Sequence, residues 1–178
     1  MDDRYQTIAD IEATEQEAPH LAQEVVDWLV EIGVVVKERT NCACGIGHAP
    51  GPHFDRAVVT GDEELRTLAW NGLRVEVGRA VYYAKAPDQA VYCPHCEAEI
   101  DLDRIADAFE EWQHGADGTR PCPICTRELD PNGWRWEPPW GFGALGLTFW
   151  NWPPLRPEFV LELTARLGHR TVLVADKL

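Results

Sequence analysis

The segment that decides the fold reads Cys93-Pro94-His95-Cys96, then 25 residues, then Cys122-Pro123-Ile124-Cys125. Each Cys-x-x-Cys pair places two sulfur atoms on one tight turn, and the proline after the first cysteine restricts the backbone there. Two such turns supply four thiolates, which is the ligand set of a closed, tetrahedral, structural zinc site. Because four protein ligands leave no position for water or substrate, we expect the ion to stabilise the fold and not to perform chemistry.

The same sequence pattern is compatible with other states of these four cysteines. They could be free buried thiols, two disulfides or a rubredoxin-type iron site. The paired spacing favours a metal, and nothing else in the chain indicates electron transfer. The sequence therefore predicts one structural Zn²⁺ bound by Cys93, Cys96, Cys122 and Cys125, with His95 outside the ligand set.

The residues between the two cysteine pairs have a helical pattern over 101–115. Asp101 can cap the start of this helix and Gly115 can end it. Its apolar positions form one stripe: Leu102, Ile105, Ala106, Phe109 and Trp112. We therefore expect a zinc ribbon, residues 91–130, in which a helix connects the two metal-binding turns and packs on the rest of the chain.

The rest of the chain predicts an α+β fold with a small mixed or antiparallel sheet and flanking helices. Helices are expected to start at Pro19 and Pro157 and to end at Gly33 and Gly168. Apolar runs and alternation predict strands at 34–36, 57–59, 73–77, 80–84, 90–92, 144–150 and 171–174.

The connecting segments are predicted from their turn residues and their weak patterns. Gly78-Arg79 is expected to form a hairpin turn, and residues 62–70 a short helix. Residues 1–18 are expected to be a loose lead-in, and residues 141–143 a loop. We expect residues 1–178 to form a single domain that contains the ribbon.

Charge and apolar content limit the classes of partner. The 178 residues include 30 acidic and 16 basic side chains, a net charge of −14. This charge opposes binding to nucleic acid or to an anionic membrane and permits a basic protein partner, although solubility alone also accounts for it. The chain has no apolar run long enough to span a membrane and a polar, acidic start, so we expect a reducing cytoplasm.

A second cluster of metal-ligand residue types lies in a Gly- and Pro-rich segment, residues 40–53, that we expect to be a long loop. Cys42, Cys44, His48 and His53 could form a second metal site, because thiolate and imidazole both suit zinc. With three protein ligands and a water, such a site would be catalytic. The alternative is a packed loop with two free thiols and two surface histidines.

Five of the eight tryptophans lie between residues 134 and 152. One interpretation is that they form core against the predicted 101–115 helix. Another is an exposed aromatic groove that binds a partner, for which Trp140, Trp150 and Trp152 are the candidates. Stacking on single-stranded nucleic acid is a third interpretation, which the acidic charge opposes.

One run of this sequence is similar to a known group of proteins. It reads Trp140-Gly141-Phe142-Gly143-Ala144-Leu145-Gly146-Leu147-Thr148-Phe149-Trp150-Asn151-Trp152-Pro153-Pro154 and is followed by Leu167-Gly168-His169-Arg170. It resembles small uncharacterised bacterial proteins that also carry a Cys-Pro-x-Cys pair upstream. The resemblance covers most of residues 20–178 and implies no established activity.

The sequence contains no nucleotide-binding loop, nucleophile elbow or His-Glu-x-x-His motif, so we do not expect an enzyme. The leading hypothesis is a zinc-stabilised interaction protein with an acidic surface that binds a basic protein, for example as an immunity or antitoxin-like inhibitor. The alternatives are a metal-dependent enzyme that uses the 42–53 segment and a zinc-ribbon regulator associated with nucleic acid.

Overall fold

The fold is built on a six-stranded antiparallel sheet, seen in a computed structural model that describes residues 3–59, 65 and 67–177. Three helices and two smaller sheets accompany it, so the fold class is α+β, as predicted. In chain order the elements are β1 (Arg4–Asp10), α1 (Ala18–Glu31), β2 (Val35–Asn41), β3 (Ile46–Pro50), β4 (Gly72–Tyr82), β5 (Ala90–Tyr92), β6 (Glu99–Ile100), α2 (Asp107–Gln113), β7 (Arg120–Pro121), β8 (Glu128–Leu129), β9 (Arg135–Glu137), β10 (Gly141–Trp150), α3 (Pro157–Leu167) and β11 (Thr171–Lys177).

The large sheet has the strand order β11-β1-β10-β4-β3-β2, and α1 and α3 pack on one of its faces. Side chains alternate between the faces of a strand, so Leu145, Leu147 and Phe149 of β10 point to the helices. There they form the main core with Leu29 of α1 and Leu163 of α3. Every residue of β10 is buried. The helices cover one face of the strand, and side chains of the neighbouring strands, such as Tyr82 over Gly146 and Tyr5 beside Trp150, cover the other.

The two long helices start and end where the sequence predicts. Pro19 lies in the first turn of α1, and Pro157 is the first residue of α3. Gly168 ends α3 in the left-handed conformation with φ +72°, and its N–H donates to the Thr164 carbonyl. Among the described residues, the helices lack the combination of length and apolar character that a membrane-spanning helix needs.

The prediction of a loose lead-in for residues 1–18 is wrong. Residues 4–10 form β1, which pairs with β10 on one side and β11 on the other. The polar residues Thr7 and Asp10 interrupt the apolar pattern of this segment, so the sequence does not indicate a strand. Both residues are nevertheless buried. Thr7 is satisfied by the hydroxyl of Thr148 at 2.9 Å, and Asp10 by backbone N–H groups and His169.

The predicted hairpin at Gly78-Arg79 is also wrong, because β4 is one continuous strand of 11 residues. Its pairing with β10 shifts there: Val77 faces Leu145 and Ala80 faces Gly143. Two residues of β4 therefore oppose a single residue of β10, which is a β-bulge. Gly78 has φ +115°, a conformation that favours glycine and occurs in some bulges as well as in hairpin turns.

Several other boundaries differ from the predictions. The 40–53 segment is not a long loop, because it contains the end of β2, the turn of the β2–β3 hairpin and the whole of β3. Residues 141–143 extend β10, and residues 57–59 form only one bridge, between Val58 and Leu155. Of the predicted helix at 62–70, residues 62–64 and 66 lie outside the described residues.

Residues 90–137 form the smaller unit, here called the ribbon module. It contains a three-stranded sheet of β6, β5 and β9, the two-stranded ribbon β7–β8, and α2. The single helix predicted over 101–115 is instead a 3₁₀ turn, Leu102–Arg104, followed by α2. Asp101 caps the 3₁₀ turn by accepting from the N–H of Asp103.

Candidate metal centre

Two matching turns, here called the knuckles, hold the four cysteines. In the first, the Cys93 N–H donates to Ala98 O at 3.0 Å and the Glu97 N–H donates to Cys93 O at 2.8 Å. The second knuckle repeats both bonds: Cys122 N–H to Arg127 O at 2.8 Å, and Thr126 N–H to Cys122 O at 2.9 Å. Each knuckle is thus a closed backbone turn that fixes where its two thiols lie.

The residue after the second cysteine has an unusual backbone conformation in both knuckles. Glu97 has φ +58° and Thr126 has φ +63°. This left-handed region costs a non-glycine residue roughly 1–2 kcal/mol. The same departure at equivalent positions shows that the two knuckles share one backbone shape, and strain of this kind is typical of functional sites.

The four sulfur atoms converge as one ion requires. All four lie within 4.8 Å of one another, with Cys93 Sγ 3.6 Å from Cys125 Sγ and Cys96 Sγ 3.8 Å from Cys122 Sγ. A tetrahedral ion with metal–sulfur bonds of about 2.3 Å has sulfur–sulfur edges of about 3.8 Å. The cysteines are not paired as disulfides. They are therefore positioned to bind one metal ion, with sulfurs contributed by both knuckles.

The proton affinities of the thiols show why this cluster suits a cation. Burial opposes ionisation of Cys93, yet the N–H groups of Cys96 and His95 lower the pKa of its thiol to about 7. The Ala98 N–H lowers the pKa of Cys96, but burial and the three neighbouring thiols outweigh it and raise this pKa to about 11. One thiol ionises readily and the others resist ionisation beside it, so a bound cation is needed for all four to become thiolates.

The surroundings of the cysteines are apolar and aromatic. Cys93 and Cys122 are buried, and Cys96 and Cys125 are partly buried. The adjoining core contains Phe109, whose ring lies 5.4 Å from Trp136 and 5.3 Å from Phe142. With four protein ligands in this core, the arrangement is suited to a closed structural site.

Two polar side chains tie the ribbon module to the large sheet. Arg79 of β4 donates to the carbonyls of Trp112 and Ala116, each at 2.7 Å, and its guanidinium lies over the Trp112 ring. Asn132 donates to Phe142 O at 2.8 Å and accepts from Phe142 N at 2.9 Å. Sequence reasoning missed both residues: Arg79 is predicted only as part of a turn, and the partner of Asn132 is the backbone of Phe142 in β10.

The second candidate ligand set does not come together. Within the described residues, Cys93, Cys96, Cys122 and Cys125 are the one group with ligand atoms close enough for a shared ion. Cys42 and Cys44 lie at the tip of the β2–β3 hairpin, where Arg74 donates to Cys44 O at 3.1 Å. His48 donates from Nδ1 to Val36 O at 3.0 Å, and His53 packs beside Gly33.

The tryptophans are mostly core residues. Trp150 and Trp152 are 8% and 2% exposed. Trp140 is partly buried, stacked between Trp136 and Tyr83 with both ring centroids at 4.6 Å. Trp136 and Trp140 pack against Phe109 of α2, as the core interpretation expects. Trp152 is a core residue too, but in the main core under α1 and α3, and the buried Trp150 lies on the opposite face of the sheet.

Comparisons of the chain with protein-family models, with curated proteins and with solved structures found no match.

Proposed function

We propose that the protein is a non-enzymatic interaction protein of the cytoplasm, in which one structural Zn²⁺ holds the ribbon module and the acidic surface of that module binds a basic protein. The observation that carries this proposal is the charge of the segment between the knuckles, residues 97–121. It contains eight acidic residues, all exposed, and two arginines. The acidic residues, here called the acidic surface, are Glu97, Glu99, Asp101, Asp103, Asp107, Glu110, Glu111 and Asp117.

The basic residues nearby leave most of this charge uncompensated. Arg120 is held by Glu111 at 2.7 Å and by Asp107 at 3.3 Å. These pairs use two carboxylates, and six others remain on the same segment. A surface of this kind attracts a positively charged partner and speeds its association, more at low salt than at high salt.

The metal gives this surface a fixed shape. The segment forms only two-residue strands, one 3₁₀ turn and a seven-residue helix, which are too short to be stable alone. Zinc fits the four-thiolate set, and iron has the same ligand preference. An inhibitor of a cationic toxin is one concrete form of this function, because inhibition needs tight, fast binding and no catalysis.

Two charge-reversal variants test the proposal. Asp103→Lys with Glu110→Lys changes the acidic surface, and Glu31→Lys with Glu162→Lys makes the same change in net charge on α1 and α3. The purified protein is immobilised and used to capture partners from lysate of its native host. Capture is compared at about 50 mM salt, where charges are weakly screened, and at about 1 M salt, where screening is nearly complete. We expect the unmodified protein and the α1/α3 variant to retain the same basic protein at low salt and release it at high salt.

The acidic-surface variant should lose this partner. Equal retention by both variants would show that the acidic surface is not the binding site. Failure to recover any basic protein at low salt would contradict the proposed function. The enzyme and nucleic-acid hypotheses gain no observation from the structure: the 42–53 ligands lie apart, and the charge of the ribbon module opposes a phosphate backbone.

A further inference from the structure

The face of the large sheet opposite α1 and α3, here called the open face, carries a small cavity. It has a volume of about 250 Å³, below the ~300–1,000 Å³ of pockets that hold drug-sized ligands. Its lining comes from β1, β4, β10 and the residues that follow β4, and includes Tyr5, Thr7, Tyr82, Lys85, Thr148 and Trp150. The cavity is separate from the metal centre and from the acidic surface.

Two side chains in this lining have buried donors without acceptors. Within the described part of the chain, the Tyr82 hydroxyl and the Trp150 indole nitrogen are hidden from solvent and make no hydrogen bond. Both residues are only 8% exposed. Nearly all buried polar groups in folded proteins have a partner. Three such atoms in the described residues have none, and two of the three lie on this one small cavity, the third being Trp152 Nε1 in the main core.

A third donor lies in the same lining. Thr7 and Thr148 are 2.9 Å apart through their hydroxyl oxygens, and both are buried. One hydroxyl donates to the other, so the accepting hydroxyl keeps a hydrogen to donate. Tyr82 is placed for this array by Gly146: a Cβ there would lie 2.4 Å from the Tyr82 hydroxyl oxygen.

The charged groups of the lining select the sign of the ligand. Glu76 is already paired with Arg74 at 3.0 Å. Lys85 is the other charged residue of the lining and carries a positive charge. Burial raises the pKa of Tyr82, so its hydroxyl keeps its proton and acts as a donor.

We propose that this cavity binds a small carboxylate with an apolar or aromatic body. The carboxylate oxygens accept from Tyr82, Trp150 and the threonine pair, and Lys85 adds charge at the rim. The body of the ligand lies against Val81 and the aromatic rings of Tyr83 and Trp150. This site does not depend on the proposed protein partner, and either can fail without the other.

Benzoate is the probe, titrated into the full-length protein by calorimetry and followed by the indole N–H signal of Trp150 in nitrogen-15 NMR. The signal is identified by its loss in Trp150→Phe. We expect saturable binding of benzoate and a saturable shift of this signal. Tyr82→Phe should weaken binding by at least about fivefold, the effect of losing one hydrogen bond, while its Tm is no lower than that of the unmodified protein, since the orphan hydroxyl is gone.

Two controls separate this site from a general effect. Tyr92→Phe removes a phenolic hydroxyl from the ribbon module, outside the cavity, and should bind benzoate unchanged. Lys85→Met should weaken binding of benzoate and leave that of neutral benzyl alcohol unaffected. Absence of benzoate binding at millimolar concentration would overturn the proposal, and so would equal binding by Tyr82→Phe.

Discussion

The large sheet buries all ten residues of its central strand β10, whereas the ribbon module has strands of two or three residues and a helix of seven. The sheet is covered on one face by helices of 14 and 11 residues, and its core consists of aliphatic and aromatic side chains. The ribbon module instead gathers four cysteines within one aromatic cluster. Burial of apolar surface can account for the stability of the sheet. Units as small as the ribbon module usually need a metal or disulfides to be stable. The comparison therefore predicts that the two regions respond differently to the same perturbation.

Loss of the ion should have the largest effect, and it should fall on the ribbon module. Cys96→Ser or strong chelation is expected to lower the free energy of unfolding by several kcal/mol, because structural zinc sites contribute on the order of 10 kcal/mol to folding. Amide hydrogen exchange should show loss of protection in residues 90–137 while β1, β10 and β4 stay protected. Cys42→Ser is the matched control and should melt like the unmodified protein; equal melting of Cys96→Ser would contradict this account.

Truncation in the sheet should produce the opposite pattern. Phe149 is fully buried between Trp152 and Phe159, so Phe149→Ala is expected to cost about 3–5 kcal/mol. Urea unfolding measures this loss. The metal content of the purified, still folded variant should equal that of the unmodified protein, and a variant that loses its ion would show that the two regions are not separable in this way.

A smaller effect should depend on pH at the junction of α3 and β11. His169 Nδ1 donates to the buried carboxylate of Asp10 at 2.9 Å. This bond raises the pKa of His169 against the opposing effect of burial, with help from Glu17 and Glu12. Because the folded-state pKa exceeds the unfolded value, the stabilisation is complete below about pH 6.5 and is lost as pH rises through the folded-state pKa.

The variant His169→Asn isolates this contribution. Its stability relative to the unmodified protein, measured by urea unfolding from pH 5.5 to 8.5, should be lowest at the acidic end and converge toward the alkaline end. His20 pairs with Glu24 on the exposed surface of α1, so His20→Asn is the control and should follow the unmodified protein. A stability difference for His169→Asn that does not change with pH would show that protonation of this histidine is not involved.

The smallest expected effect concerns the knuckles. Thr126 has φ +63°, and Thr126→Gly should relieve a strain of roughly 1–2 kcal/mol, partly offset by the greater freedom of glycine in the unfolded chain. We expect a gain of up to about 1 kcal/mol in thermal unfolding. The same change at Thr119, outside the knuckle and with no positive φ, should not stabilise; a destabilised Thr126→Gly would contradict the strain argument.

The features that the sequence predicts well are the ones set by local chemistry. The spacing of Cys93, Cys96, Cys122 and Cys125 is sufficient to identify the ligand set, and proline and glycine set the ends of α1 and α3. Strand β10 is recognisable as an apolar run, because a strand buried on both faces does not alternate.

The features that sequence reasoning missed depend on distant partners. β1 is held by β10 and β11, more than 130 residues away, so its polar residues look like those of a loop. Gly78 requires a positive φ, but only the pairing of β4 with β10 decides between a turn and a bulge. Arg79 and Asn132 act through carbonyl groups of other elements, and the orphan donors Tyr82 and Trp150 share a cavity only once β4 and β10 are paired.

Elemental analysis of protein that was never exposed to a chelator tests the central claim most directly. The convergence of four thiols predicts one zinc per chain, unchanged by Cys44→Ala and lost in a Cys96→Ser/Cys125→Ser variant. Fully folded protein without metal would contradict the account, and so would a second equivalent of metal that disappears with Cys44.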